Sequence, residues 1–322
     1  MVIMNNSKVY IIIVTYNAMK WIDRCLSSIK SSNVKAEVVV VDNCSRDETL
    51  SYIKENFSSV HIIENKENRG FGQANNQGIE WAYKQGGTHF FLLNQDAYIH
   101  KDTIEKLVSV QDKYNIALVS PIHLNGAGDK LDYNFYRKIV PDEDNIQYVG
   151  DTELGQQKDY YPVFKINAAA WLLSRRCIEK IGGFDPLYFH YGEDGNYCQR
   201  LKYHKEECVF VPGTYIHHDR ELQGNMQVYK KNEVIMQLLF AYTDVNSKPW
   251  RINSKKLIMH GSHIKRGFLA LIKLKFKDLR NIIGGYWEFI RKIPHIKYSM
   301  SSNCKTDATW LNLEQGVSGL KH

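Results

Sequence analysis

Four stretches place oxygen- and nitrogen-bearing side chains where apolar or aromatic segments stop. Phe90-Phe91-Leu92-Leu93 runs into Asn94-Gln95-Asp96, and Val38-Val39-Val40-Val41 runs into Asp42-Asn43-Cys44-Ser45. Pro212 to Ile216 delivers His217-His218-Asp219, and the aromatic cluster Tyr188 to Tyr191 precedes Gly192-Glu193-Asp194. In an open α/β sheet the space beyond the strand ends holds ligands, so Asp96 sits where a small ligand or a metal would lie. The same Asp could instead cap the helix opened by Asp102 and Thr103. Glu193 and Asp194 either favour the positive end of a helix dipole or form the wall of a pocket behind those aromatic residues. The histidine pair beside Asp219 suits either a metal ligand or a structural role.

The elements that must position these residues follow from periodicity. Val9 to Val14 reads as a buried strand, Thr15-Tyr16-Asn17 as the turn after it, and about Trp21 to Lys30 as a helix. Strands follow at 37–41, 60–63, 90–93 and 116–121, with helices starting near Asp47, at the glycine-rich turn 67–78, and at Asp102. This is the rhythm of a parallel sheet with right-handed crossovers. Residues 125–159 read as an excursion from the sheet. Residues 164–173 return to the core, and short helices follow at 176–181 and 193–202. A strand at 209–211 then leads to the histidines. A helix at 227–242 is expected to pack back on the body, and Pro249 to end the main domain.

The first strand is not followed by Gly-x-Gly-x-x-Gly, and no Gly-x-x-x-x-Gly-Lys-Ser/Thr loop occurs, which excludes a dinucleotide oxidoreductase and a P-loop protein. Six scattered cysteines without a Cys-x-x-Cys pair fit reduced, buried thiols rather than a disulfide framework or a zinc site. No opening leader and no run of ~18 apolar residues is present, so a cytosolic protein is expected. The chain carries +7 over 322 residues, yet 251–300 holds twelve Lys or Arg against Asp278 and Glu288. A basic excess confined to one segment points to a local anionic partner, not to nucleic acid.

Taken in order and spacing, these motifs resemble glycosyltransferase family 2. The likeness spans about Val9 to Ala241 and rests on Val14-Thr15-Tyr16-Asn17, Val41-Asp42-Asn43-Cys44-Ser45, Asn68-Arg69-Gly70-Phe71-Gly72 with Asn75-Asn76, Leu93-Asn94-Gln95-Asp96, Gly182-Gly183-Phe184-Asp185, Gly192-Glu193-Asp194 and His217. The subset with Leu-Asn-x-Asp and Gly-Glu-Asp is most similar to rhamnosyltransferase-type members. The resemblance implies a GT-A fold, Rossmann-like, with a mostly parallel central sheet and flanking helices, to which the residues themselves add a basic helical C-terminal extension. It implies residues 1–250 as the catalytic domain, with a nucleotide-sugar half to about 120 and an acceptor half after it. Residues 251–322 would be the basic tail.

The resemblance further implies donor contacts from Thr15, Tyr16, Asn17, Asp42, Asn43, Arg69, Gly70, Asn75, Asn94 and Gln95. Asp96 would reach a Mg²⁺ or Mn²⁺ on the diphosphate, with His217 as a further ligand, and Asp194, or else Glu193, would be the base. A departing nucleoside diphosphate leaves charge that a divalent cation stabilises, and the attacking hydroxyl must lose a proton to a carboxylate. One such carboxylate and no covalent residue imply inversion. Three positions depart from the pattern: Asn94 replaces a first Asp, Asn75 replaces an Arg for which Arg69 would compensate, and Gly195-Asn196 replace an apolar and an acidic residue.

In the tail, apolar residues recur at helical spacing with lysines and arginines between them, and Gly284-Gly285 is expected to break the run into two helices. Such a segment either lies on an anionic membrane surface or packs its apolar face on the domain. The expected partners are a nucleoside-diphosphate sugar and a glycan or lipid-linked acceptor, with the protein cytosolic or at the cytosolic face of the membrane. The alternative is a non-catalytic sugar-nucleotide-binding protein recruited to that surface.

Overall fold

Alternation along the first strand decides the layering. Tyr10 and Ile12 pack into one buried cluster while Val9, Ile11 and Ile13 pack into another, so the strand is covered on both faces. The computed structural model describes residues 7–139, 143–220, 230–247 and 253–314. These fall into two units: one holds the described residues up to Arg220 together with those from Thr306 onward, and the other holds those between.

The first unit is built on a sheet whose strands are β1 (Val9–Thr15), β2 (Glu37–Asp42), β3 (His61–Glu64), β4 (His89–Asn94), β5 (Ala97–Ile99), β6 (Leu118–Asn125), β7 (Tyr161–Pro162), β8 (Ala170–Ser174) and β9 (Cys208–His218). Their order is β3-β2-β1-β4-β8-β6-β9-β5, with β7 pairing on β9. The strands β3, β2, β1 and β4 run parallel, so their carboxyl ends open on one side. Between them lie α1 (Ile22–Lys30), α2 (Thr49–Asn56) and α3 (Phe71–Lys84), with α4 (Thr103–Tyr114) after β5. This matches the expected α/β sheet with flanking helices, but the sheet is mixed rather than mostly parallel: β8 pairs antiparallel with β4 and β6, and β5 and β7 pair antiparallel with β9.

Three further details differ from expectation. The excursion at 125–159 contains α5 (Tyr133–Ile139) and α6 (Glu143–Glu153). The short strand at 209–211 is the start of β9, which runs to His218 and pairs with both β6 and β5. Its register against β6 jumps from Pro121↔Val211 to Ile122↔Tyr215, so residues 212–214 bulge out and restart the alternation. Finally, the chain returns from the tail. Gly183 N donates to Thr309 O at 2.9 Å, Ala308 N donates to Glu179 O at 3.0 Å, and Leu311 and Leu313 pack on the sheet core.

The second unit holds α9 (Lys230–Tyr242), α10 (Ser254–Ile272), α11 (Phe276–Arg291) and α12 (Ile293–Asn303). The break expected at 250/251 therefore falls earlier, because α9 packs on α10 and α11 in this unit, and the last residues belong to the sheet unit. Residues 227–229 and Pro249 lie outside the described residues. The chain does not break at Gly284-Gly285 either. The elbow is at Leu274, with φ 52°, and α11 runs through both glycines. A Cβ on Gly285 would lie 2.7 Å from Val234 Cγ1, so this glycine serves close helix approach instead. No helix among the described residues is long and apolar enough to cross a membrane.

Inside this unit Tyr242 Oη meets His260 Nε2 at 2.9 Å, and His260 Nδ1 meets Tyr286 Oη at 2.6 Å. His263 bridges Tyr286 Oη and Gln237 Oε1 at 3.1 and 2.7 Å. Burial holds both imidazoles below their ordinary value; Lys256 adds to this for His260, and Arg266 and His260 add to it for His263, where Glu233 opposes. The folded unit thus favours neutral rings, whereas unfolded histidines titrate near 6.5, so below about pH 6.5 the unfolded chain binds more protons and stability falls. Amide exchange protection along α10 and α11, corrected for intrinsic rates, should therefore drop between about pH 7.5 and about pH 5.5. Protection independent of pH across that range would contradict this.

Candidate active site

The register puts the ends of β1, β2 and β4 level, with Thr15 opposite Asp42 and Val14 opposite Asn94. Asp42 is 3% exposed, and its Oδ1 accepts from Thr15 Oγ1 at 2.9 Å and from Ser45 Oγ at 2.6 Å. Its Oδ2 accepts from Ser45 N at 3.0 Å, which leaves one lone pair there for a ligand N–H or O–H. Asn17, at φ 50°, joins the two loops, its N donating to Ser45 Oγ at 2.9 Å and its Oδ1 accepting from Arg46 N at 2.8 Å. Gln95 grips the Tyr16 backbone, accepting from its N–H at 2.8 Å and donating to its carbonyl at 3.3 Å. The Tyr16 ring is left exposed at the strand ends.

Asn43 is buried and holds the loop before α3. Its Nδ2 donates to Asn68 Oδ1 at 2.9 Å and to Gly70 O at 3.2 Å, and its Oδ1 accepts from Arg69 N at 2.9 Å. Asn43 is therefore a positioning residue, and the Arg69 side chain is exposed on the loop it fixes. Replacing Asn43 with Ala leaves these groups unpaired and should cost about 1–3 kcal/mol in denaturant unfolding; an unchanged midpoint would contradict the assignment. Gly70, at φ 79°, lets the start of α3 abut the segment that precedes the helix Glu193–Tyr203, since a Cβ there would collide with the Phe189 carbonyl oxygen. Asn75, an expected donor contact, has its amide nitrogen engaged by its own helix. It is buried and donates to Phe71 O within α3 at 3.0 Å.

At the end of β4 the structure corrects one assignment. β9 pairs with β5 so that His218 lies beside Ala97 and His217 beside Tyr98. Because side chains alternate across a strand, His218 is the histidine next to Asp96, with Nε2 3.3 Å from Asp96 Oδ1. His217 points the other way, to His100 Nε2 at 3.1 Å and Gly126 O at 3.4 Å. Asn94 Nδ2 lies 3.4 Å from His218 Nε2, and Asn94 Oδ1 is buried with no hydrogen-bond partner. An orphaned acceptor beside a carboxylate and an imidazole is a donor set that fits a divalent cation.

Behind His218, Arg220 Nε donates to both His218 Nδ1 at 3.2 Å and Asp132 Oδ2 at 2.9 Å, while Asp132 Oδ2, 3.8 Å from Nδ1, makes no hydrogen bond to the ring. Asp132 therefore reaches the His218 ring only through Arg220, a positioning role that the spacing of the sequence does not reveal. Burial, reinforced by the Asp96 charge, pushes the Cys25 thiol far up. All six cysteines are free.

Beyond β8 come α7 (Arg175–Ile181) and α8 (Glu193–Tyr203), and the start of α8 abuts α3. α8 starts after two left-handed residues, Tyr191 at φ 68° and Gly192 at φ 95°, the first an unusual geometry for a bulky side chain. The helix is tied down by buried Arg200, which donates to Gly183 O and Ile181 O. That turn is in turn clamped by Asn76 of α3, which donates to Phe184 O at 2.8 Å and accepts from Phe184 N at 2.7 Å. The two acids part company here. Glu193 is 6% exposed and packs toward α3, where a Cβ on Gly72 would lie 3.8 Å from Glu193 Cβ. Asp194 is half-buried, and its Oδ1 accepts from Gly195 N at 2.6 Å.

A sheet with its functional side chains beyond the carboxyl ends of β1, β2 and β4, walled by the start of α8, defines a GT-A nucleotide-sugar architecture. The chain belongs to glycosyltransferase family 2: residues 10–182, more than half of it, match the model "Glycosyl transferase family 2". It is 27% identical over 60% of its length to the low-salt glycan biosynthesis hexosyltransferase Agl10 of Haloferax volcanii, covering 61% of that protein. It is 28% identical over 61% of its length to the dTDP-rhamnosyl transferase RfbF of Shigella flexneri, covering 63% of it. The matches thus span about three-fifths of the length of these curated relatives. Among solved structures, that of Staphylococcus aureus TarS 1–349 superposes over 92% of this chain and 89% of TarS, with a TM-score of 0.59 at 16% identity. TarS has also been solved with UDP and with UDP-GlcNAc.

Proposed function

We propose that this protein is an inverting glycosyltransferase that moves a sugar from a nucleoside-diphosphate sugar to a hydroxyl of a glycan or lipid-linked saccharide, in surface polysaccharide assembly. The observation that carries the reading is the donor set at the strand ends: Asp96 Oδ1 3.3 Å from His218 Nε2, with Asn94 Oδ1 unpaired beside them. Asp96 and His218 would hold a Mg²⁺ or Mn²⁺, with the His218 ring positioned by Arg220, itself held by Asp132. Such a cation, when bound, neutralises charge developing on the departing diphosphate. Asp42 Oδ2 accepts a hydrogen bond from the nucleoside, and the exposed Tyr16 ring offers a face to the base. Arg69 supplies a positive charge near the phosphates, while Thr15, Asn17, Asn43 and Gln95 hold the loops in place.

Asp194 accepts the proton of the acceptor hydroxyl as it attacks the anomeric carbon, and Glu193 supports the helix start from its buried position. With one proton-accepting carboxylate and the Cys25 thiol held protonated, direct displacement with inversion is the simplest course. The nucleotide complexes of TarS and the hexosyl and rhamnosyl activities named for Agl10 and RfbF support the donor class. The helical unit is read as a membrane-surface element, consistent with a lipid-linked acceptor.

A thermal-shift screen of UDP, dTDP and GDP sugars with and without Mn²⁺ tests this. Stabilisation by one nucleoside class, dependent on metal, is expected. Stabilisation by none, or stabilisation indifferent to metal, would contradict it.

A further inference from the structure

The elbow between α10 and α11 carries a combination that neither core packing nor the transfer reaction uses. A groove of about 210 Å³ there is lined by Arg266, Lys273, Lys275, Asp278 and Asn281 together with the apolar Leu269, Ala270 and Ile282. Three cations face one carboxylate, and Asn281 adds a neutral donor. Arg266 is only partly engaged, its Nη1 lying 3.3 Å from the half-exposed Glu233. Around this groove the apolar side chains stand in solvent: Leu274 is 72% exposed, Phe276 63% and Ile272 61%. Leu274, left-handed at φ 52°, lies in the turn between the two helices. A cationic groove rimmed by protruding apolar residues matches an amphiphile with an anionic head and an apolar tail, since the heads of interfacial lipids meet Lys and Arg while Leu and Phe enter the acyl boundary.

We propose that the α10–α11 elbow binds the phosphate group of an anionic phospholipid, with Leu274 and Phe276 inserted beside it. This rests on the reading of the helical unit as a membrane-surface element and names the site within it. Lys273, Lys275 and Arg266 take the phosphate oxygens, and Asp278 limits the groove to a singly charged head.

The test is co-sedimentation of the full chain with phosphatidylglycerol vesicles and, separately, phosphatidylcholine vesicles. It compares wild type, the elbow pair Lys273→Ala/Lys275→Ala, and a pair of equal charge loss elsewhere in the same unit, Lys255→Ala/Lys297→Ala. Circular dichroism checks that all three fold alike. Wild type should bind phosphatidylglycerol and not phosphatidylcholine, the elbow pair should bind about tenfold or more weakly, and the control pair should stay within about threefold of wild type. Equal loss in both pairs would overturn the elbow site while leaving membrane association standing. Failure of the wild type to bind phosphatidylglycerol would overturn both. Added inorganic phosphate separates the sources: a Lys273-dependent thermal shift by phosphate alone, without vesicle binding, would assign the groove to free phosphate and overturn the lipid.

Discussion

Asp194→Asn should lower kcat for sugar transfer by about a thousandfold and leave donor affinity within a few fold. The replacement keeps the shape of the side chain and an oxygen to accept from Gly195 N, the contact made at 2.6 Å. What it removes is the capacity to take a proton. The support beneath it is unaffected, because Arg200 and Asn76 fix α8 and its preceding turn through backbone groups. Glu193, 6% exposed and packed toward α3, is not expected to take over. Steady-state kinetics with a soluble acceptor read the effect. A variant turning over at the wild-type rate would remove Asp194 from the chemistry.

The second large effect is expected at Asp96. Asp96→Ala deletes the carboxylate beside His218 and should cost about 4 kcal/mol in the transition state, again close to a thousandfold in rate. Unlike the first variant it should also abolish the metal dependence of donor binding, because the remaining imidazole and amide hold a divalent cation poorly. Titration of Mn²⁺ against bound nucleotide sugar separates the two variants. A donor affinity that still rises with Mn²⁺ in Asp96→Ala would contradict the ligand assignment.

How much of this was legible before the structure depends on whether a feature is local. The β4 end was legible because a strand buried on both faces is an uninterrupted apolar run, and the residue after it must lie at the sheet edge. Glu193 and Asp194 were legible as a pair, but which one faces out depends on α3 packing against the helix start. The choice between His217 and His218 was not legible at all. It is decided by the pairing of β9 with β5 and by the bulge at 212–214, which sets the side each histidine takes.

The backbone contacts of Asn43, Asn75 and Gln95 are not legible in the sequence, because an amide at a strand end or helix start looks the same whether it meets a substrate or a neighbouring backbone. The tail misled for a related reason. Gly285 allows close approach to Val234, a use of glycine that a sequence does not distinguish from a break, while the true elbow lies at Leu274 in a left-handed conformation that its side chain gives no hint of. The return of residues 306–314 to the sheet unit is carried by a few backbone bonds and two leucines, too sparse a pattern to stand out.

The most direct test of a cation grip at Asp96 and a proton acceptor at Asp194 is a paired measurement, donor binding with Mn²⁺ and transfer rate, on the same two variants. Asp194→Asn is predicted to bind the nucleotide sugar with full metal dependence and to transfer almost nothing, whereas Asp96→Ala is predicted to lose both. The account is contradicted if Asp194→Asn loses donor binding as severely as Asp96→Ala, or if either variant transfers sugar like the wild type.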